Sequence, residues 1–262
     1  MSGRRPLVSG NWKMHHDHIE ALHAVRDLGL RLKPEDVARV EVSVHPPFTD
    51  LRTVQTLVEK EHIPVALGAQ HCSDEDAGAF TGEVSPRMLA RLGVVYVIVG
   101  HSERRTLFGM DDAAVASTLR AVVRHGMTPV VCVGESEEQR AHGQTESVLE
   151  EQVLAALSGL AAEVVAGLVL AYEPIWAIGT GQAATPMDAE DACVFIRSLV
   201  AKVGGDEAGE GVRIQYGGSV NAENAADFMA EPDVDGLLVG GASLEAGTFL
   251  DIIRATAACY RS

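Results

Sequence analysis

VVYVIVGH, residues 94–101, is the stretch on which the fold turns. It is continuously apolar, rich in β-branched side chains, and stopped by a glycine. A helix would need a longer run, and a half-exposed strand would alternate apolar with polar. An unbroken short run of this kind suits a strand buried on both faces. Working outward, the same kind of run recurs at LVSGNWK (7–13), VEVSVHPP (40–47) and VALGAQ (65–70). It returns at TPVVCVGE (128–135), GLVLAYE (167–173), VRIQYGG (212–218) and DGLLVGG (235–241). Between them lie stretches of helical spacing and good helix formers, such as DDAAVASTLRAVVRHG (111–126) and SEEQRAHGQTESVLEEQVLAAL (136–157). Strand and helix thus alternate eight times, and parallel strands require such crossovers. Units of roughly 30 residues repeated along a chain of this length match a closed (β/α)8 barrel. An open doubly wound sheet is the competing topology, but it would usually place GxGxxG just after the first strand. That position here reads GNWK. The expectation is one α/β domain over residues 1–262, a closed barrel of eight parallel strands surrounded by helices. GGDEAGEG (204–211) reads as a flexible acidic helix-to-strand connection within it.

Of the 262 residues, 47% are hydrophobic and 22% charged, the balance of a soluble protein with a sizeable core. No stretch approaches the ~20 apolar residues of a membrane-spanning helix. The opening MSGRRPLVSGNW has no hydrophobic block after its arginines, so no signal peptide is expected and the location is expected to be cytoplasmic. Cys72, Cys132, Cys193 and Cys259 are far apart and read as reduced thiols. The net charge of −16, from 21 basic and 37 acidic residues, argues against a nucleic-acid partner. It also means that any anionic ligand must be attracted locally, against the field of the whole chain.

In a barrel of this kind chemistry gathers at the carboxyl ends of the strands. Those ends carry Asn11 and Lys13, Gln70, His101, Glu135, Glu173, then Gly217-Gly218-Ser219 and Gly240-Gly241. The last two strands finish in glycine pairs. Backbone N–H groups at such turns hold an anion without any charged side chain, and the loops after strands seven and eight are the usual phosphate-holding pair in barrels. The plainer reading of the same glycines is that they turn corners. Lysine is scarce, with only Lys13, Lys33, Lys60 and Lys202, and Lys13 alone lies just past a strand end. A Schiff-base aldolase would need a lysine on an inner strand. Lys13 instead suits a negatively charged substrate or a developing oxyanion.

Ser102 is expected to cap a short helix after the fourth strand. His101 at that helix amino terminus would feel N–H dipoles that favour a neutral imidazole. Glu173 precedes Pro174, and a residue before proline is pushed into extended geometry, so its carboxylate is aimed from the rim. Ile175, Trp176, Ala177 and Ile178 follow, then Gly179, Thr180 and Gly181, a largely apolar loop with freedom to bend. Such a loop can close over a ligand, expel water and raise the basicity of Glu173. The plainer readings are a structural histidine and an ordinary packed connection.

NWKM (11–14), GAFTGEVS (78–85), VGHSERR (99–105), AYEPIWAIGTG (171–181), YGGSV (216–220) and LVGGASL (238–244) together resemble the triose-phosphate isomerases, in order along nearly the whole chain. The resemblance implies interconversion of dihydroxyacetone phosphate and glyceraldehyde 3-phosphate with no metal and no cofactor. It implies Glu173 as the base between carbons 1 and 2 and a neutral His101 that polarises the carbonyl and shuttles protons between the oxygens. Glutamate base, neutral histidine and closing lid are the known devices of this family. Lys13 and Asn11 would stabilise the enediolate. The backbones of Gly179, Ser219, Gly240 and Gly241 would hold the phosphate under a lid at 174–184. Glu103 is similar to the glutamate that pairs with Lys13, and Ser102 to the serine that contacts Glu173 when the lid is open. The loop SDEDAGAFTGEV (73–84) is similar to one that inserts into a partner subunit, with Thr81 near the other active site, which implies a homodimer.

Three features depart from the family pattern. The lid ends in Gln182-Ala183-Ala184 where KTA is frequent, and His71 follows the glutamine of strand three where asparagine is common. The run HHDH (15–18) is no family feature, and as a metal site it lacks the rest of a ligand set. Another phosphate-binding barrel enzyme, or a non-catalytic homologue, are the alternatives. The lysine census and the Asn11/Lys13 pair weigh against the first, and the presence of Lys13, His101 and Glu173 together weighs against the second.

Overall fold

The computed structural model describes residues 4–178 and 184–260. Among them eight strands appear in chain order: β1 (Leu7–Asn11), β2 (Glu41–His45), β3 (Ala66–Ala69), β4 (Tyr96–Val99), β5 (Thr128–Val133), β6 (Val169–Tyr172), β7 (Arg213–Tyr216) and β8 (Gly236–Val239). Each lies parallel to the next, and β8 returns to pair with β1 from Leu7↔Gly236 to Gly10↔Val239, which closes the barrel. The expected (β/α)8 architecture is therefore the observed one.

Every residue of β1, β4, β6 and β8 is buried, which is why their sequences are unbroken apolar runs. Alternate side chains serve two different apolar compartments. Leu7, Tyr96, Ile98, Val130, Cys132, Val169, Ala171 and Leu238 meet inside the barrel. Val8, Val97, Val99, Val131, Leu170 and Leu237 point outward into the larger layer between strands and helices.

The segment read as helical at 111–126 forms the helix Asp112–Arg124, started by Asp111, whose carboxylate accepts from Ala114 N at 2.8 Å. The segment at 136–157 divides in two, Glu137–Ala141 and Thr145–Leu157, because Gly143 between them adopts φ 67. GGDEAGEG differs from its expected form: Asp206–Gly211 is a helix rather than a loose connection. Its small residues let it dock on the preceding helix, for a Cβ at Gly209 would stand 2.8 Å from that of Ala201. Asp206 and Glu207 also favour its amino-terminal turn.

In the HHDH run, Asp17 is the N-cap of helix His18–Arg31, in a capping box with Glu20. His16 packs edge-on against Trp12 with ring centroids 4.9 Å apart. Among the described residues no three His, Cys, Asp or Glu side chains are grouped to hold a metal ion, and no helix is long and apolar enough to cross a membrane. Cys72, Cys132 and Cys193 are buried free thiols.

Candidate active site

Closure of the barrel brings strand ends separated by most of the chain to one mouth. Asn11, Lys13, His101, Glu173, Ser219, Gly240 and Gly241 line a single cavity of about 320 Å³. That volume suits a small molecule. Gly179 and the loop apex through Ala183 lie outside the described residues.

Lys13 sits two residues past β1 in a left-handed conformation, φ 53. For a non-glycine residue this costs on the order of 1–2 kcal/mol, so the surroundings must impose it. They do so from three sides. Its own N–H donates to Asn11 Oδ1 at 3.1 Å, its carbonyl accepts from Gln70 Nε2 at 2.7 Å, and its ammonium pairs with Glu103 Oε1 at 2.7 Å. The aliphatic end passes close to β8, since a Cβ on Gly240 would come within 3.5 Å of Lys13 Cε.

After β4 the chain turns at Gly100 and enters the helix Ser102–Phe108. The cap of this helix is His101, not Ser102 as expected: the ring's Nδ1 accepts from Glu103 N at 3.2 Å. Ser102 is the first helical residue, and its N–H, which has no carbonyl partner within the helix, is directed at Glu173. Nδ1 must carry a lone pair to accept, so the ring proton is on Nε2. That nitrogen lies 2.9 Å from Glu173 Oε1.

Glu173 follows β6 directly, and its N–H donates to Val133 O at 2.8 Å on the neighbouring strand. Only 2% of the residue is exposed. Its second oxygen, Oε2, accepts from Ser102 N at 2.9 Å. Burial alone raises this carboxyl's pKa, but His101, the Ser102 N–H and Lys13 outweigh burial and leave it below the ordinary value. For His101, burial is the largest influence and lowers the pKa, but the charge and hydrogen bond of Glu173 and the charge of Glu103 together outweigh it and leave the ring above its ordinary value. The net upward shift runs against the helix-dipole expectation, and its source is the paired carboxylate of this resting pose. Burial and the charge of Lys13 act the other way and favour the neutral imidazole.

Sequence reading missed three of the lining residues. Leu238, Val220 and Ala242 complete the cavity wall. Leu238 was detectable, because inward positions on β8 alternate. Gly217 gives Glu173 its room: a Cβ there would lie 3.0 Å from Glu173 Cγ. Behind the loop, the carboxylate of Glu135 accepts from Trp176 Nε1 at 2.8 Å and from the Tyr172 hydroxyl at 3.0 Å. The Arg140 guanidinium covers the Trp176 ring at 4.0 Å. Cys132 is fully buried, and burial followed by the charge of Glu173 pushes its thiol well above the ordinary value. Thr81 lies exposed in the loop at 73–84 and does not line the cavity. That loop is tied down at its base, where Asp76 accepts from Arg124 Nη2 at 2.9 Å and pairs with His125 Nε2 at 2.8 Å. His71 is largely buried, and burial, with the Arg104 charge, holds its pKa down to about 4.

Comparison with known proteins agrees with this geometry. The family model described as triosephosphate isomerase matches residues 6–256. The chain is 49% identical over 246 residues to the triosephosphate isomerase of Corynebacterium diphtheriae, covering 94% of this chain and 95% of that protein. It is 50% identical over 251 residues to that of Carboxydothermus hydrogenoformans, covering 96% and 98%. Against the triosephosphate isomerase of Rhodococcus jostii it is 46% identical over 246 residues, 94% of each chain. The chain belongs to the triosephosphate isomerase family.

Proposed function

We propose that the protein interconverts dihydroxyacetone phosphate and D-glyceraldehyde 3-phosphate by proton transfer through an enediolate, in glycolysis and gluconeogenesis. The observation that carries this reading is the meeting of a buried carboxylate, an imidazole and an ammonium at one cavity beside two glycine-rich turns. Glu173 takes the proton from one carbon and returns it to its neighbour. His101, with its proton on Nε2, faces the oxygens and moves protons between them. Lys13 and Asn11 oppose the negative charge that develops on the enediolate oxygens, where preorganised partners stabilise the transition state.

The amides around Ser219, Gly240, Gly241 and Gly179 take the phosphate. A phosphate bound there answers the charge puzzle, because backbone dipoles attract it despite the −16 of the chain. Its binding energy drives closure of the loop at 174–184 and keeps the enediolate from losing phosphate. In the resting pose Ser102 N and His101 hold Glu173 ready, and Glu103 holds Lys13. No metal or cofactor is needed for this chemistry.

We further propose that the whole chain acts as one barrel domain in a cytoplasmic homodimer, with no nucleic-acid or membrane partner. The exposed loop at 73–84 supports this reading, since it carries Thr81 and the half-exposed Phe80 away from its own barrel. The partner would receive it beside Lys13 and Gln70, where Met14, Phe48 and Phe108 are exposed around a second hollow. A coupled assay of glyceraldehyde 3-phosphate turnover tests the activity, and sedimentation tests the dimer. A folded protein without turnover would overturn the catalytic reading.

A further inference from the structure

Inside the barrel, below the cavity, runs a chain of polar side chains with no exposed surface. Ser9, Ser43, His45 and Gln215 are each 0% exposed and come from β1, β2 and β7. Gln215 Nε2 lies 2.9 Å from Leu7 O and 2.9 Å from Ser9 Oγ. The Ser9 and Ser43 hydroxyl oxygens are 2.9 Å apart, Ser43 Oγ is 3.1 Å from His45 Nε2, and His45 Nδ1 is 3.1 Å from Ala69 O.

Either hydroxyl can give its proton to the other, so the two ends decide the direction. At one end the amide nitrogen of Gln215 faces a carbonyl and can only donate. At the other, Ala69 O can only accept, so His45 carries its proton on Nδ1 and presents a lone pair at Nε2. Ser43 must then donate to His45, Ser9 to Ser43, and Gln215 to Ser9. Reversal would set two lone pairs against each other at Ala69 and leave the Ser9 proton without an acceptor, a costly state in a dry interior.

The chain ends under the catalytic rim. The His45 ring fills the space that Gly68 leaves open, for a Cβ there would stand 2.3 Å from the imidazole. Just past the end of β3 is Gln70, whose Nε2 donates to His45 O at 2.9 Å and to Lys13 O at 2.7 Å. His45 is opposite Asn11 in the β1–β2 register, and its carbonyl also accepts Trp12 N at 3.2 Å. The strained Lys13 turn is thus gripped by a glutamine whose footing is the His45 backbone.

We propose that His45 is a positioning residue for the isomerase reaction: pinned at Nδ1 by Ala69 and at Nε2 by Ser43, it fixes the β2–β3 backbone from which Gln70 holds Lys13 in its left-handed turn. This inference rests on the triose-phosphate reading of the site. Burial, opposed only by the Ala69 carbonyl, holds the His45 pKa to about 4, so the ring stays neutral and the chain intact at working pH.

The test is a double-mutant cycle on purified protein. His45→Leu keeps volume and removes both hydrogen bonds, and Gln70→Met removes the grip on Lys13. His45→Leu should lower kcat/KM about tenfold, since even sub-ångström misplacement of a catalytic group is costly. The double variant should be no slower than Gln70→Met alone. His45→Asn, which keeps a donor near Nδ1, should recover part of the loss. In the wild-type protein, 15N spectra should find the His45 proton on Nδ1. Should His45→Leu fail to fold, Ser43→Ala leaves the ring in place and removes only its Nε2 partner, and a smaller loss of kcat/KM is expected there too. A His45→Leu enzyme that loses thermal stability but keeps wild-type kcat/KM, losses that multiply with Gln70→Met, or a proton on Nε2 would each overturn the proposal. Wild-type turnover tests the underlying reading separately, so an active wild type with an indifferent His45→Leu variant rejects this inference alone.

Discussion

Replacing Gly217 with alanine puts one methyl group against the proposed base. The new carbon would stand 3.0 Å from Glu173 Cγ and 3.3 Å from Tyr172 O. Carbon atoms rest at about 3.5–4.0 Å, so the pair must part by at least roughly half an ångström. The Gly217 backbone cannot readily retreat, because its N–H donates to Tyr172 O at 2.8 Å. Glu173 therefore moves, stretching its bonds to His101 and Ser102, both 2.9 Å. A misplacement near 1 Å costs on the order of a hundredfold in rate. Half that displacement implies about a tenfold loss of kcat, or about 1.4 kcal/mol on the barrier. The assay is steady-state turnover of both triose phosphates, with competitive inhibition by inorganic phosphate as control. Ser219, Gly240 and Gly241 are untouched, so phosphate affinity should hold while kcat falls. A folded Gly217→Ala enzyme whose kcat stays within about twofold of wild type would refute the reasoning.

Other perturbations follow from the same geometry. Glu173→Asp retracts the carboxylate by one methylene and should lower kcat by about a hundredfold or more with phosphate affinity largely kept, and comparable turnover would count against Glu173 as base. His45, held to a pKa of about 4 by burial, refuses a proton that the unfolded chain accepts below its ordinary value. Its folded pKa is depressed, so stability should fall by about 3 kcal/mol as pH drops from about 6.5 to 4 and then level off. Urea unfolding across that range should show part of the slope vanish in His45→Leu, while His71, also held to about 4, keeps its share. Asp76→Ala should free the base of the loop at 73–84 from Arg124 and His125 and raise the dimer dissociation constant about threefold by sedimentation at low concentration. An unchanged constant would show that this tether does not prepare the loop for a partner.

The strands were legible because burial on both faces leaves an unbroken apolar run, as in Tyr96–Val99 and Val169–Tyr172. Glu173 and His101 were legible because each ends such a run, and Pro174 fixes the backbone of the former. Local composition failed where tertiary contact decides. Asp206–Gly211 reads as a loop by its glycines and acids, yet it becomes a helix by docking on Ala201. Ser102 has the ordinary capping propensity, but His101 occupies the cap because the chain must also aim its Nε2 at Glu173. The chain from Gln215 through Ser9 to His45 could not be read at all. Its members lie 206 and 34 residues apart, and only closure of the ring makes them neighbours.

Everything in the catalytic account depends on Glu173 removing a carbon-bound proton. The direct measurement is proton NMR of dihydroxyacetone phosphate in heavy water with the purified protein, followed through conversion. The account predicts deuterium at carbon 2 of the glyceraldehyde 3-phosphate formed and at carbon 1 of recovered substrate, with both nearly abolished in Glu173→Gln. Absence of deuterium with a folded wild-type protein, or equal exchange in Glu173→Gln, would contradict it.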